Sequence, residues 1–381
     1  MRVVIAIDSF KGSLSTLEAG EAAGVGVTRA YPDAEIEICP LADGGEGTVE
    51  AFASALGGRR EEVFVTGPLG TPVNAMYVIV PERKLAVMEM SAAAGITLVC
   101  ENERNPMNTT TYGVGEMIAD AISKGCRKFI MGIGGSATND GGIGMLQALG
   151  FEFLDKDGRE IAGNGAGLEF LSEIRTDGAN KALDECEFLV ACDVKNPLCG
   201  ENGCSAIYGP QKGATPEMIE KMDEWLSNYA SLTKEIIPGA DKDFHGAGAA
   251  GGMGFALLSY LGGKLESGIE LIIRETGIEE KIKSADVVVT GEGRLDGQSA
   301  MGKAPVGVAR AAKRHGKPVI AFSGIIGAGA EACNSKDCGI DAFFPIVRRI
   351  TTLDEAMNVE NASKNLADTA EQAFRLIKAF R

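Results

Sequence analysis

The chain has 381 residues and a formal net charge of −16, with 45% apolar and 24% charged residues. This is an ordinary globular composition, long enough for two domains, and its acidity disfavours nonspecific binding to nucleic acid or to an anionic membrane. Nine cysteines with no Cys-x-x-Cys, and only two histidines (His245 and His315), argue against a structural zinc site and leave almost no material for Ser-His-Asp or Cys-His chemistry.

The first apolar run, 3–7, ends at Asp8, too early for a signal-peptide core, and no apolar run approaches the ~18 residues of a membrane span. With thiols expected to be reduced, this predicts a cytoplasmic protein. A helix is predicted over 15–30, because Ser15-Thr16-Leu17-Glu18 has capping-box spacing. The second apolar run is 36–41. The interval 60–90 differs: 62–66, 73–80 and 84–90 read as close-spaced antiparallel strands joined by Gly-Pro and Pro-Glu-Arg turns. Further strand-like runs fall at 129–133, 188–192, 287–290, 318–323 and 343–347. Helices are predicted over 216–236, opened by Thr215-Pro216, and over 305–315.

Continuous apolar strands alternating with helices predict an α/β fold with doubly wound parallel strands. The expected arrangement is one domain built from both chain ends, 1–60 plus 284–381. A second α/β domain with a mixed sheet, 61–283, would be inserted, with the active site in the cleft between them.

Glycine is the compositional outlier, at 51 of 381 residues or about 13% against a typical ~7%. It clusters in polar loops just past predicted strand ends, where open α/β sheets bind ligands. Asp8-Ser9-Phe10-Lys11-Gly12-Ser13 follows the first strand, and an Asp with a Lys three residues on can hold a metal-bound phosphate or position a hydroxyl. Ala42-Asp43-Gly44-Gly45-Glu46-Gly47-Thr48 follows the second; Asp43 there reads equally as a helix cap. Gly134-Gly135-Ser136-Ala137-Thr138-Asn139-Asp140-Gly141-Gly142 sits between a strand and a helix, the arrangement that aims backbone N–H groups at an anion. Cys192-Asp193-Val194-Lys195-Asn196-Pro197-Leu198 puts an acid at a strand end. The fifth loop, 290–305, carries Glu292, Arg294, Asp296 and Lys303. Within it Gly297–Ala304 follows G-x-x-x-x-G-K, but Ala replaces the Ser or Thr that a P-loop uses for Mg²⁺, so a Walker fold is rejected. A further run, Gly246–Gly254, precedes a helix and reads as helix packing or ligand contact alike.

Carboxylates, a few cations and Gly-rich anion cradles suit phosphoryl transfer. Hydride transfer fits less well, since no strand leads into G-x-G-x-x-G with an acid ~20 residues later. A NAD-dependent hydroxy-acid dehydrogenase and a non-catalytic sugar-phosphate-binding module remain the alternatives.

The loops at 8–13, 42–48, 134–142, 192–198, 290–296 and 302–305 together resemble those of the bacterial glycerate kinase family, in order along the chain. The resemblance implies ATP- and Mg²⁺-dependent phosphorylation of D-glycerate, with 2-phosphoglycerate as the expected product and 3-phosphoglycerate still open. Loop chemistry then suggests the roles. Gly134, Gly135, Ser136, Ala137 and Thr138 would cradle nucleotide phosphates. Lys11, Arg294 and Lys303 would bind the glycerate carboxylate or the transferring phosphoryl group, and Asp193 would be the acceptor-side base. Asp8, Glu292 or Asp296 would hold Mg²⁺, while Ser13, Asp43, Asn139 and Asn196 would contact substrate. Monomer and homodimer are both compatible with the sequence.

Overall fold

The computed structural model describes residues 1–42 and 47–380; the predicted substrate residue Asp43 lies outside the described residues. Among the described residues there are thirteen strands: β1 Arg2–Ile7, β2 Glu35–Ile38, β3 Arg59–Thr66, β4 Pro72–Val80, β5 Leu85–Glu89, β6 Lys128–Gly132, β7 Glu152–Leu154, β8 Glu173–Arg175, β9 Glu187–Ala191, β10 Lys264–Glu266, β11 Val287–Leu295, β12 Val319–Ile326 and β13 Ala342–Pro345. The chain divides into two compact units, one formed by Met1–Asp43, Glu50–Leu56 and Ile269–Arg381, the other by Gly44–Val49 and Gly57–Gly268.

In the first unit five parallel strands lie in the order β13-β12-β11-β1-β2. The chain passes from β1 to β2 on one side and later returns to the other side of β1 with β11. The β1/β11 boundary is therefore the topological switch point, where the connections diverge and a crevice opens beyond the strand ends. Helix Thr16–Ala30 carries the predicted capping box: Glu18 N donates to Ser15 Oγ at 3.3 Å and Ser15 N to Glu18 Oε2 at 2.8 Å. The Ser15 N–H and the Ser15 hydroxyl, both donating to Glu18 Oε2, hold the Glu18 carboxyl below its usual range. Thr16, in the first turn, donates to Ile7 O and accepts from Leu41 N, so one hydroxyl ties together the chain leaving β1 and the chain leaving β2. The face of this helix made of Ala19, Gly20, Ala22, Ala23, Gly24 and Gly26 is buried. Gly20 and Gly24 pack toward Ile38 and Ile36, while Gly26 lets helix Val359–Ala379 approach so closely that a Cβ there would lie 2.2 Å from Ala367 O.

The second unit holds a mixed six-stranded sheet, β10-β9-β6-β5-β4-β3, and the small antiparallel pair β7–β8. β3, β4 and β5 run antiparallel to one another in turn, as the helix-free interval predicts, whereas β5, β6, β9 and β10 are parallel. Of the parallel strands, β5, β6 and β9 are buried along nearly their whole length, and Phe129 stacks on Phe188 at 4.7 Å. Register pairs Gly132 with Ala191, so the loops after β6 and β9 leave the sheet side by side. Helix Pro216–Ile236 begins where predicted, its Thr215 cap accepting from Met218 N. All nine cysteines are free thiols.

Several strand boundaries differ from expectation: β2 ends at Ile38 rather than 41 and β12 runs on to Ile326 rather than 323, but the end of β11 matters most for the site. β11 does not stop at 290 but runs to Leu295, pairing Glu292 with Ser323 and Arg294 with Ile325. Glu292 and Arg294 are thus strand residues two apart, on one face of the sheet, rather than members of a free loop.

Candidate active site

In the first unit, a cavity of about 560 Å³ opens beyond the ends of β1 and β11, at the switch point. Asp8, Lys11 and Ser13 line it from one chain segment; Glu292, Arg294, Asp296 and Lys303 line it from another, 279 or more residues away. Phe10, Ile325, Ile346, Leu353 and Met357 form its apolar wall. The order of the charged floor has local causes. Asp8 N continues the ladder to Gly291 O at 2.9 Å, and Asp8 Oδ1 accepts from Ser9 N at 2.7 Å. Phe10 N donates to Leu14 O and Ser13 N to Phe10 O, folding 10–14 into a tight turn that holds Lys11 outward. The buried Ser13 hydroxyl has no hydrogen-bond partner, an unspent polar atom in the cavity wall. Glu292 is 8% exposed and accepts from Ser299 Oγ. Arg294 Nε meets Asp296 Oδ2 at 3.1 Å, and Lys303 Nζ donates to Gln298 Oε1 at 3.3 Å.

In the second unit, the loop after β6 is fastened on every side. It pairs with the segment 94–96: Ile96 N donates to Gly135 O at 2.8 Å and Ala137 N to Ala94 O at 2.9 Å. Asp140, fully buried, accepts from Thr111 N (2.8 Å), Thr111 Oγ1 (2.7 Å) and Gly142 N (3.1 Å). Burial pushes its carboxyl pKa up, and those three hydrogen bonds oppose the shift. Of the predicted cradle, Gly134 and Gly135 are exposed, while Ser136, Ala137 and Thr138 are buried. Asn139 is also buried, and its amide donates to Ser205 Oγ at 2.9 Å. Asn196 is committed at both ends, donating to Asn202 O and accepting from Tyr208 Oη at 2.6 Å. Asp193 is exposed and accepts from Gly268 N at 3.2 Å.

The Gly246–Gly254 run buttresses this loop. Ala250, Gly251 and Gly252 have φ of +53°, +70° and +93°, and Gly251 O accepts from Gly141 N at 2.9 Å. A Cβ at Gly251 would lie 2.0 Å from Thr138 O, so only glycine permits this approach.

The glycerate kinase family model matches residues 3–378. The chain belongs to the glycerate kinase family. It is 46% identical to a glycerate kinase of Halalkalibacterium halodurans, over 96% of this chain and 97% of that one. It is 47% identical to the glycerate 2-kinase of Escherichia coli, over 97% and 98%. The crystal structure of a glycerate kinase 2 from Salmonella typhimurium matches with a TM-score of 0.90 at 47% identity, covering 100% of this chain and 98% of that one. Family membership makes the protein a kinase, with nucleotide and glycerate as the substrates that the family name implies. No helix among the described residues is long and apolar enough to cross a membrane.

Sequence reasoning missed Lys212. It is 2% exposed, and its Nζ donates to Ser136 Oγ at 2.8 Å and Thr138 O at 2.6 Å. Burial pulls its pKa down to about 8, and the nearby Asp140 carboxylate opposes the shift. A single Lys in Gly-Pro-Gln-Lys-Gly reads as a solvated charge, and nothing local reveals partners 74 and 76 residues away. Asp8, Glu292 and Asp296 are hard oxygen donors of the kind Mg²⁺ prefers. Among the described residues no three His, Cys, Asp or Glu form a ready-made metal cluster. That donor set fits an ion held by one or two carboxylates together with substrate phosphates.

Proposed function

We propose that the protein phosphorylates D-glycerate with ATP and Mg²⁺, giving 2-phosphoglycerate. One observation carries this reading: Asp8, Lys11, Ser13, Glu292, Arg294, Asp296 and Lys303, chosen from sequence for phosphate and metal chemistry, line one cavity at the switch point of the parallel sheet. The 2-position is supported by the name of the Escherichia coli relative, a glycerate 2-kinase.

Lys11, Arg294 and Lys303 bind anionic oxygens of the glycerate carboxylate or of the transferring phosphoryl group. Arg294 can do so with a planar fork, Lys11 and Lys303 as mobile point charges. Asp8, Glu292 and Asp296 are the residues that would hold Mg²⁺, which when bound neutralises charge on the phosphates. Ser13 offers its unspent hydroxyl to substrate. Asp193 accepts the proton of the attacking hydroxyl, and a general base of this kind contributes about 10²–10⁴-fold. In the second unit the exposed Gly134–Gly135 turn meets an anion, with Ser136 at its edge, while Ala137, Thr138, Asn139 and Asn196 fix the loops from within.

The test is product analysis. Incubation with ATP, Mg²⁺ and D-glycerate, followed by ³¹P and ¹³C NMR, should show phosphate on the oxygen of C2. Phosphate on C3 would overturn the regiochemistry, and absence of any phosphorylated glycerate would overturn the reaction.

A further inference from the structure

A buried ammonium needs a compensating anion, because desolvating an unpaired charge is costly. Lys212 has none within ion-pair distance among the described residues: its two hydrogen-bond partners, Ser136 Oγ and Thr138 O, are neutral. An ammonium has three N–H donors, and these two bonds leave the third unused. The bond to Ser136 has a second consequence. Because Lys212 donates to Ser136 Oγ, the hydroxyl's own hydrogen is left to point elsewhere, and no acceptor for it exists among the described residues. Ser136 follows the exposed Gly134–Gly135 turn directly and is itself 7% exposed. Two more polar atoms of the same loop, Thr138 Oγ1 and Asn139 Oδ1, are buried without partners. Among the described residues this loop therefore holds unpartnered polar atoms beside a buried ammonium whose nearest carboxylate, Asp140, is already held by three donors of its own.

We propose that Ser136 and Lys212 form a built anion site at the Gly134–Gly135 turn. The Ser136 hydroxyl donates to an anionic oxygen of a substrate, and Lys212 supplies the matching charge from behind. The anion is a nucleotide phosphate or the glycerate carboxylate, an identity that rests on the phosphotransfer reading above; the site itself does not. Lys212 is a positioning residue here and Ser136 the contact.

The groups around Lys212 support a clean titration. Asp140 is the nearby carboxylate, held by three donors, and the buried Cys204 thiol is pushed up to about 12, so it stays neutral where Lys212 titrates. Asp223 acts on Cys204 and accepts from Gly200 N, and Arg104 packs its backbone against Gly213. Lys212 is charged below its pKa of about 8 and neutral above it. Affinity for the anion should therefore be full below pH 8 and weaken above it, by up to about tenfold per pH unit.

The experiment is calorimetric titration of the full-length protein with ATP and, separately, with D-glycerate, between pH 7 and 10. Binding is read without turnover, so it stands apart from the kinase assay. For Lys212→Met at pH 7 the Kd of one ligand should rise about tenfold or more, the other staying within about twofold. The ligand that moves identifies the anion. Ser136→Ala should raise the same Kd about fivefold and keep the pH step, whereas Lys212→Met should abolish the step. If folded Lys212→Met binds both ligands within twofold of wild type, or weakens both equally, the proposal is overturned. If that variant does not fold, Ser136→Ala and the wild-type pH profile decide: an unchanged Kd and a flat profile overturn it.

Discussion

Gly251→Ala should damage the loop after β6 without touching any group that meets substrate. At Gly251 a Cβ would stand 2.0 Å from Thr138 O and 2.7 Å from Asn139 Cα, about 1.4 Å inside ordinary contact in the first case. Both neighbours are backbone, so neither can swing aside. The φ of +70° adds a left-handed penalty for alanine of about 1–2 kcal/mol. Forcing the two segments apart costs about 1–3 kcal/mol more and strains the Gly141–Gly251 hydrogen bond. Gly262→Ala isolates the first contribution, because Gly262 has φ +60° and nothing within 4 Å of a Cβ. Urea denaturation should then show a loss of roughly 3–4 kcal/mol for Gly251→Ala against about 1 kcal/mol for Gly262→Ala. The displaced Thr138 and Asn139 should also lower kcat/KM by about 10²-fold in Gly251→Ala alone. If the two variants unfold within about 0.5 kcal/mol of each other and Gly251→Ala keeps full activity, the buttress reasoning is wrong.

Three further outcomes follow from the same structure. Asp193→Asn should lower kcat by about 10²–10⁴-fold with little change in stability; a loss of only a fewfold removes Asp193 as the base. Lys212 has a folded pKa of about 8 against an ordinary value of 10.5, so between those limits the unfolded chain binds more protons and this group's contribution to stability rises with pH. The rise is at most about 3 kcal/mol, to be read as the wild-type-minus-Lys212→Met difference in unfolding free energy from pH 7.5 to 10. A difference independent of pH would show that the ammonium is not desolvated. Chelation of divalent cations with EDTA should abolish turnover and excess Mg²⁺ restore it, measured by ADP release; full activity in EDTA would contradict the roles given to Asp8, Glu292 and Asp296.

The elements legible in the sequence were those whose signal is local. β6 and β9 are apolar after their first residues because both sheet faces are covered, and Thr215-Pro216 marks its helix start by cap chemistry alone. The end of β11 was not legible, because Gly291 and Gly293 carry a loop signature. Glycine stands at 291 because β12 comes close: a Cβ there would lie 2.1 Å from Phe322 O. The candidate site divides in the same way. Asp8, Lys11, Glu292, Arg294, Asp296 and Lys303 stand near strand ends and could be picked by residue type and position. The state of the 134–142 loop could not, since Ala137 N and Gly141 N are spent on Ala94 O and Gly251 O, partners that spacing does not reveal. Lys212 was invisible for the same reason: its chemistry comes from tertiary burial, not from its neighbours in the chain.

The central claim is tested most directly by coupled ADP release from the purified protein with ATP and Mg²⁺, with and without D-glycerate. The structure predicts glycerate-dependent ADP formation in stoichiometric step with a phosphorylated glycerate. ADP no higher than the glycerate-free background, across D-glycerate and a panel of small hydroxy acids, would contradict it.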